Sequence, residues 1–567
     1  MTRLLNAPSD FPAESLAGFV QAFPRYVQQV YGGVVRSTRT AEGKVALVVG
    51  GGSGHYPAFA GWVGQGFADG AVCGNIFSSP SGAQAYSVCK AADRGAGVLI
   101  GFGNYAGDVL HFGQAVERLR SEDIDARTIV VTDDIASGPP EEHTKRRGIA
   151  GDLPVFKVTA AACEQGMDID EVVAVFERAN EATRSFGVAF DGCTPPGADH
   201  PLFTVPEGRM GIGLGIHGEP GVDEADLGTA DDVARLLVDG LLADRPASED
   251  GRVVAVLNGL GGTKYEEMFV VWGAVSRLLA EADVRVVDQE VGELVTSLDM
   301  AGISLTLMWV DDELLALWDA PCDTPAYRRG AVDAAESDVR ELPTRAEAVA
   351  VTEPGSAASR ELAAAVVAHL TAVHAALGEH EVRLGDLDAV AGDGDHGTGM
   401  LRGCAAAVTA ATDLVGQDAG AGTALVGAGD AWSERAGGTS GALWGALLTA
   451  VGRVLGDEEP ATAATMRAGA EAALAAVQRL GGAQVGDKTM VDALAPLVAT
   501  LGEQLDADQP PGEAWSAAVA AAEEGATSTS GIVAKVGRAR PLGEKSVGTP
   551  DPGATSLALI AGVLGRG

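Results

Sequence analysis

Short runs of apolar and β-branched residues mark the first part of the chain: Val45-Ala46-Leu47-Val48-Val49, Gly97-Val98-Leu99-Ile100, Thr128-Ile129-Val130-Val131 and Val253-Val254-Ala255-Val256-Leu257. They alternate with helical stretches, the pattern of an α/β domain with mostly parallel sheets, here in two subdomains. After residue 357 the β-rich runs vanish and Ala-rich helical segments take over, among them Arg360 to Leu377, Thr462 to Leu480 and Ala514 to Glu524. That half is predicted to be all-α. Acids, Pro343, Pro354 and Gly355 between Arg328 and Ser359 read as an exposed tether. The expected organisation is therefore an α/β domain over 1–330, a linker over 331–357 and an all-α domain over 358–567.

Composition narrows the function. The 567 residues hold 40 Lys plus Arg against 78 Asp plus Glu, a formal net charge of −38 that repels nucleic acids and anionic membranes. An anionic substrate needs a local remedy such as a metal ion, a helix N-terminus or clustered backbone N–H groups. No apolar run reaches the ~18 residues of a membrane span, and the N-terminus lacks the apolar core of a signal peptide. The six cysteines form no C-x-x-C pair, so neither a disulfide framework nor zinc spacing is present, and a reducing, cytoplasmic setting is expected.

The 77 glycines gather in short knots that read as ligand loops. No Walker motif occurs. Gly213-Leu214-Gly215-Ile216-His217-Gly218 matches G-x-G-x-x-G, but Glu219-Pro220-Gly221 follows where a Rossmann helix would run. In the second half, Asp388, Asp393 and Asp395 stand at spacings of five and two with glycines between, and like charges so close need a cation. Mg²⁺ suits them, taking hard oxygen ligands and completing its shell with nucleotide phosphates. Ala436-Gly437-Gly438-Thr439-Ser440-Gly441 leads into a helix whose N-terminus could hold phosphate. Gly537-Arg538-Ala539-Arg540 adds guanidinium groups, and Asp551-Pro552-Gly553-Ala554 adds a tight turn. Together these suggest a non-Walker nucleotide site.

In the first half, Val48-Val49-Gly50-Gly51-Gly52-Ser53-Gly54-His55 is a buried-type strand discharging into a glycine loop, placed where parallel sheets gather ligands. Gly101-Phe102-Gly103-Asn104-Tyr105-Ala106-Gly107-Asp108 follows another strand and delivers a carboxylate. His217 lies between glycines in a third loop. His55 and His217 have little to pack against and can act as nucleophile or proton carrier; His111, His143, His200, His369, His374 and His380 are read as structural or surface residues.

These motifs, with Thr296-Ser297-Leu298-Asp299-Met300-Ala301-Gly302 and Gly486-Asp487-Lys488-Thr489-Met490, resemble the ATP-dependent dihydroxyacetone kinase family in its fused, single-chain form. The resemblance covers almost the whole chain and implies an α/β ketose-binding domain followed by a helical-barrel nucleotide domain. It implies that His217 forms a hemiaminal with the ketone carbon, which rejects glycerol, that Asp108 is the base for the terminal hydroxyl, and that His55 bonds the substrate. Gly52, Ser53, Gly54, Tyr56 and Gly103 would line the ketose. Asp388, Asp393 and Asp395 would hold Mg²⁺ against ATP, with His396, Thr398, Gly399, Met400, Thr439, Ser440, Gly441, Arg538, Asp551 and Gly553 around the nucleotide. Relatives commonly dimerise, and fusion of the domains favours free ATP over a phosphorylated carrier protein.

Two positions depart from the family pattern: His55-Tyr56-Pro57 replaces the usual His-Glu-Pro, and Gly103 replaces the usual Lys. Gly103 is expected to open volume beside Asp108 and Tyr56 to offer a phenol, so a four-carbon ketose such as D- or L-erythrulose stands beside dihydroxyacetone as substrate. The alternatives are a lyase that converts FAD to a cyclic flavin phosphate and a non-catalytic ketose sensor.

Overall fold

The computed structural model describes residues 4–219, 221–246, 251–332, 353–392, 394–536 and 544–565. They form two compact units, one on either side of the segment 333–352. Most of the expected linker lies outside the described residues. At its edges the chain is ordered: Arg328–Arg329 pairs with Cys322–Asp323, and Ser356 caps a helix.

The first unit contains strands β1 (Val27–Val30), β2 (Gly33–Arg36), β3 (Ala46–Ser53), β4 (Gly70–Ile76), β5 (Val98–Gly103), β6 (Ala126–Val131), β7 (Thr183–Ala189), β8 (Arg209–Ile212), β9 (Asp223–Asp226), β10 (Arg252–Gly259), β11 (Arg285–Gly292) and β12 (Gly302–Trp309). Its helices are α1 (Phe11–Ala22), α2 (Gly82–Ala92), α3 (Ala106–Arg120), α4 (Asp152–Glu164), α5 (Ile169–Glu181), α6 (Ala230–Ala243), α7 (Tyr265–Glu281) and α8 (Asp312–Asp319). Two six-stranded sheets result, ordered β1-β2-β4-β3-β5-β6 and β11-β10-β12-β7-β8-β9.

Both faces of each sheet are covered, which is why the strands read as unbroken apolar runs. On β3, Leu47 and Val49 face a core shared with α4 and the second sheet, while Ala46 and Val48 face α2 and α3. On β10, Val254 and Val256 join that shared core, and Val253, Ala255 and Leu257 face α6 and α7. Helix α4 is the middle layer, buried from Asp152 to Cys163. Its Phe156 fits only because Gly101 of β5 has no side chain: a Cβ there would stand 2.6 Å from the ring.

The expectation of mostly parallel sheets holds for β4-β3-β5-β6 and fails in the second sheet, where only β10 and β11 are parallel. Short connections such as the turn between β8 and β9 force antiparallel pairing, because a parallel crossover needs about a dozen residues or more.

The second unit holds α9 (Ala357–Asp388), α10 (His396–Val415), α11 (Ala421–Ala436), α12 (Gly438–Leu455), α13 (Ala463–Gly481), α14 (Val491–Asp506), α15 (Pro511–Ser528) and α16 (Pro552–Leu564). Each packs on the next in sequence and α16 packs back on α9, closing a ring of helices. Helix α9 is long and apolar enough to cross a membrane by length and composition. Its buried positions Ala363, Val366, Leu370, Val373 and Leu377 recur every three or four residues, the stripe of a bundle helix facing its neighbours.

Phe156→Ala should destabilise the α/β unit by about 3–5 kcal/mol. The check is that unit's denaturant midpoint, and an unmoved midpoint would show that α4 is not the layer joining the two sheets.

Candidate active site

The first site forms where β3 and β8 end. The expected glycine loop is strand: Gly50, Gly51 and Gly52 belong to β3 and carry no side chain because Val72, Phe59 and the backbone of Phe77 and Ser78 press against them. The chain leaves the sheet at Gly54, whose φ of 108° suits glycine, and presents His55. Gly213 and Gly218, with φ of 71° and 84°, shape the turn that presents His217.

The two histidines meet, with His217 Nε2 3.0 Å from His55 Nε2. His55 Nδ1 lies 2.7 Å from the Thr296 carbonyl, and His217 Nδ1 lies 3.1 Å from Glu219 Oε1. A carbonyl and a carboxylate only accept, so both Nδ1 atoms carry hydrogen. A hydrogen bond between the Nε2 atoms then needs one further proton, giving three protons on two rings. Burial, reinforced by the neighbouring His217, lowers His55 to about 3. Burial alone would raise Glu219, but the hydrogen bond and charge of His217, with the charge of Arg147, hold it down at about 2.

Segment 296–297 fixes both loops at once. The Thr296 carbonyl takes His55, and Ser297 Oγ donates to the carbonyl of Ile216, next to His217. The family motif contained this segment, but only the fold reveals that it spans both histidines. The rings of Tyr105 and Phe77 stand edge-on to His217, at centroid distances of 4.5 and 5.4 Å. Asp108 sits in the first turn of α3 with Oδ1 buried and, among the described residues, unpartnered. Burial raises its carboxyl to about 7, with a Ser79 hydrogen bond and the charge of His217 offsetting part of the rise.

Two expectations change here. Gly103 opens no volume, because a Cβ there would stand 3.0 Å from the Gly148 carbonyl and 3.2 Å from the Tyr105 ring. Tyr56 packs edge-on against Phe19 of α1 and is 48% exposed, opening with Gly52, Ser53 and Gly54 onto a groove beneath that helix. The phenol beside His217 is that of Tyr105, whose hydroxyl is buried and without a hydrogen-bond partner among the described residues.

The second site is a pocket at one end of the helical ring. Asp388 at the end of α9, Asp395, His396, Gly399 and Met400 at the start of α10, and Thr439 and Ser440 at the start of α12 line it with Lys488, Asp551 and Gly553. Residues 488–490 precede α14 and 551–553 open α16, so four helix N-termini face one cavity, an arrangement that attracts anions. The expected tight turn at Asp551 is instead a helix cap, its carboxylate accepting from Ala554 N at 2.7 Å. Burial raises that carboxyl to about 7.

His396 ties three of these helices together. Ser556 Oγ donates to the Gly553 carbonyl and lies 3.0 Å from His396 Nε2, and Ser440 Oγ lies 3.3 Å from Nδ1. The ring therefore carries its hydrogen on Nε2, and burial lowers it to about 4. Thr398 donates to Glu381 of α9, and Gly441 packs against Ala436; neither lines the pocket. Asp393 and Arg538 lie outside the described residues. Asp388 and Asp395 supply hard oxygen donors suited to Mg²⁺ beside the phosphate-type cradle. Lys488 belongs to a motif the resemblance quoted without a role: its Nζ donates to the carbonyls of Thr529, Ser546 and Thr549 at 2.9, 2.7 and 2.6 Å.

With two imidazoles in hydrogen-bond contact in one unit and a pocket faced by four helix N-termini in the other, the chain is an ATP-dependent ketose kinase. The chain belongs to the dihydroxyacetone kinase family, matching the Dak1 domain over residues 17–326 and the DAK2 domain over 390–565. It is 55% identical to a D-erythrulose kinase of Mycolicibacterium smegmatis, covering 99% of this chain and 97% of the relative. It is also 55% identical to an L-erythrulose 1-kinase of the same organism, covering 100% and 99%. The crystal structure of the dihydroxyacetone kinase from C. freundii in complex with AMP-PNP and Mg²⁺ is 30% identical, covers 100% of this chain and 99% of that one, and superposes with a TM-score of 0.53. ATP and Mg²⁺ are the cofactors of the reaction.

Lys488→Met would remove all three of these bonds; the Thr529 and Ser546 carbonyls would keep the backbone donors Ile532 N and Thr549 N, and the loss should be about 1–3 kcal/mol. Affinity for a non-hydrolysable ATP analogue should fall about tenfold or more, with ketose binding unchanged. Calorimetric titration checks this, and an unaltered nucleotide affinity would show that the lysine does not shape the pocket.

Proposed function

We propose that the protein phosphorylates the terminal hydroxyl of erythrulose, holding the ketose as a hemiaminal on His217. The observation that carries the reading is the row Glu219, His217, His55: Glu219 occupies Nδ1 and leaves Nε2 as the atom that attacks. The proton between the Nε2 atoms passes to His55, the His217 Nε2 lone pair forms the bond to the ketone carbon, and the carbonyl π pair moves to oxygen. His55, a poor base and hence a strong acid once protonated, returns that proton to the new alkoxide. Charge and protons balance, because the substituted imidazolium keeps its Nδ1 hydrogen against Glu219.

Asp108 then takes the proton of the terminal hydroxyl as its oxygen attacks the γ-phosphorus and ADP leaves. Asp388, Asp393 and Asp395 would hold Mg²⁺, which neutralises charge on the phosphates. Thr439, Ser440 and the four helix N-termini would position the phosphate chain. A four-carbon ketose carries one hydroxyl more than dihydroxyacetone, and the unpartnered Tyr105 hydroxyl beside His217 is the group suited to receive it. The two erythrulose kinases similar over the full chain support the same substrate. A cytoplasmic homodimer completes the reading, the six free cysteines supporting the reducing setting.

The deciding measurement is ketose-dependent ADP release. kcat/KM for D- or L-erythrulose should equal or exceed that for dihydroxyacetone. A hundredfold lead for dihydroxyacetone, about 2.7 kcal/mol of transition-state discrimination, would overturn the choice of substrate. FAD conversion without ketose-dependent ADP release would overturn the kinase reading itself.

Asp108 must be ionised to act as base, so kcat/KM should fall as pH drops through about 7. Asp108→Asn should abolish that limb and lower kcat by about 10²–10⁴. A limb that survives the substitution would assign the base elsewhere.

A further inference from the structure

The turn that carries His217 rests on an ion pair that the adduct chemistry leaves unexplained. Arg147 lies between β6 and α4. Its Nε and Nη2 grip Asp134 at 2.9 and 2.8 Å, and Nη2 also donates to the Gly213 carbonyl at 3.2 Å. Its Nη1 stands 4.0 Å from Glu219 Oε2. Asp134 is itself fixed, 1% exposed and accepting from Ala136 N at 3.0 Å. Arg147 is thus anchored on the first sheet's side and reaches both ends of the turn that follows β8. Glu219 is clamped further by the backbone N–H of His217, which donates to its Oε2 at 3.0 Å.

The pair lies directly over Gly215. A Cβ at that position would collide with Glu219 Oε2 and stand 2.7 Å from Arg147 Nη1, so any side chain at 215 would prise the two apart. Among the described residues Glu219 is the side chain that meets His217 Nδ1, and the carboxylate can meet that atom only while its other oxygen is held by the His217 N–H and faced by Arg147.

We infer that Arg147 is a positioning residue for adduct formation: acting through Glu219, it keeps the carboxylate turned onto Nδ1 of His217 and so reserves Nε2 for the ketone carbon. The inference rests on the reading that His217 forms the adduct. It predicts that Arg147 matters only while Glu219 is a carboxylate, whereas a mere clip between turn and sheet would matter equally without it.

The test is a double-mutant cycle in the full chain, read by kcat/KM for erythrulose and by the carbonyl-carbon resonance of carbon-13-labelled erythrulose bound without ATP. In the wild type that resonance should move from the ketone to the tetrahedral region. Arg147→Gln should lower adduct population and kcat/KM about tenfold, and in the Glu219→Gln background the same substitution should cost less than about twofold. Arg147→Lys should recover most of the loss, and affinity for an ATP analogue should stay unchanged throughout. An equal loss in both backgrounds, or no loss in either, overturns the inference while leaving the adduct intact. Absence of the tetrahedral resonance in the wild type overturns the reading of His217 instead. Should Arg147→Gln fail to fold, Gly215→Ala keeps both side chains, separates the pair and supplies the same cycle.

Discussion

A chain with a net charge of −38 has to hold a polyphosphate, and that electrostatic conflict organises the helical unit. Few cationic side chains are offered: among the described lining residues Lys488 is the one cation, and it is spent on three backbone carbonyls. The remedy is backbone. Among the described residues eight helices alternate in direction around a closed ring, so α10, α12, α14 and α16 all begin at the same end. Their unpaired N–H groups and dipoles supply positive potential that no sequence count of Lys and Arg registers. His396, kept uncharged by burial, and Lys488 hold those ends in register.

The α/β unit meets a different constraint. Strands buried on both faces can carry polar chemistry only where they leave the sheet, so His55, Asp108 and His217 all appear at or just past strand ends. Because α4 and a common core lock the two sheets together, loops from both can be brought within hydrogen-bond distance and held there. Segment 296–297 then bridges the two histidine loops through one carbonyl and one hydroxyl. Burial performs the chemistry's tuning: the same exclusion of water lowers His55 and raises Asp108, in opposite directions because one is charged when protonated and the other when not.

Much of this was legible from residues alone, and the failures are instructive. Unbroken apolar runs marked the double-sided strands, and Ala-rich periodicity marked α9, α13 and α15. His55 and His217 stood out because glycine-rich surroundings left them little to pack against, and Asp108 because it is a carboxylate delivered just past a strand. Strand direction in the second sheet was not legible, since apolar runs look alike whether their neighbours run parallel or antiparallel. The roles of Thr296, Arg147 and Lys488 were invisible for another reason: each acts on a residue distant in sequence, and only the fold brings carbonyl, carboxylate and cation together.

The Gly103 position shows how a local reading can point to the right pocket and misplace its shape. Loss of a long side chain suggests a vacancy, yet a side chain's absence also lets backbone and rings close in. Here the Gly148 carbonyl and the Tyr105 ring occupy that ground, and the ring is thereby pressed edge-on to His217. The departure at 103 therefore removes a cationic side chain from the strand end without leaving a cavity. Tyr105 belongs to the family pattern itself and stays beside His217 as a neutral group able both to donate and to accept. What changes at this strand end is its charge, and the space for a ketose is set by the backbone and the ring.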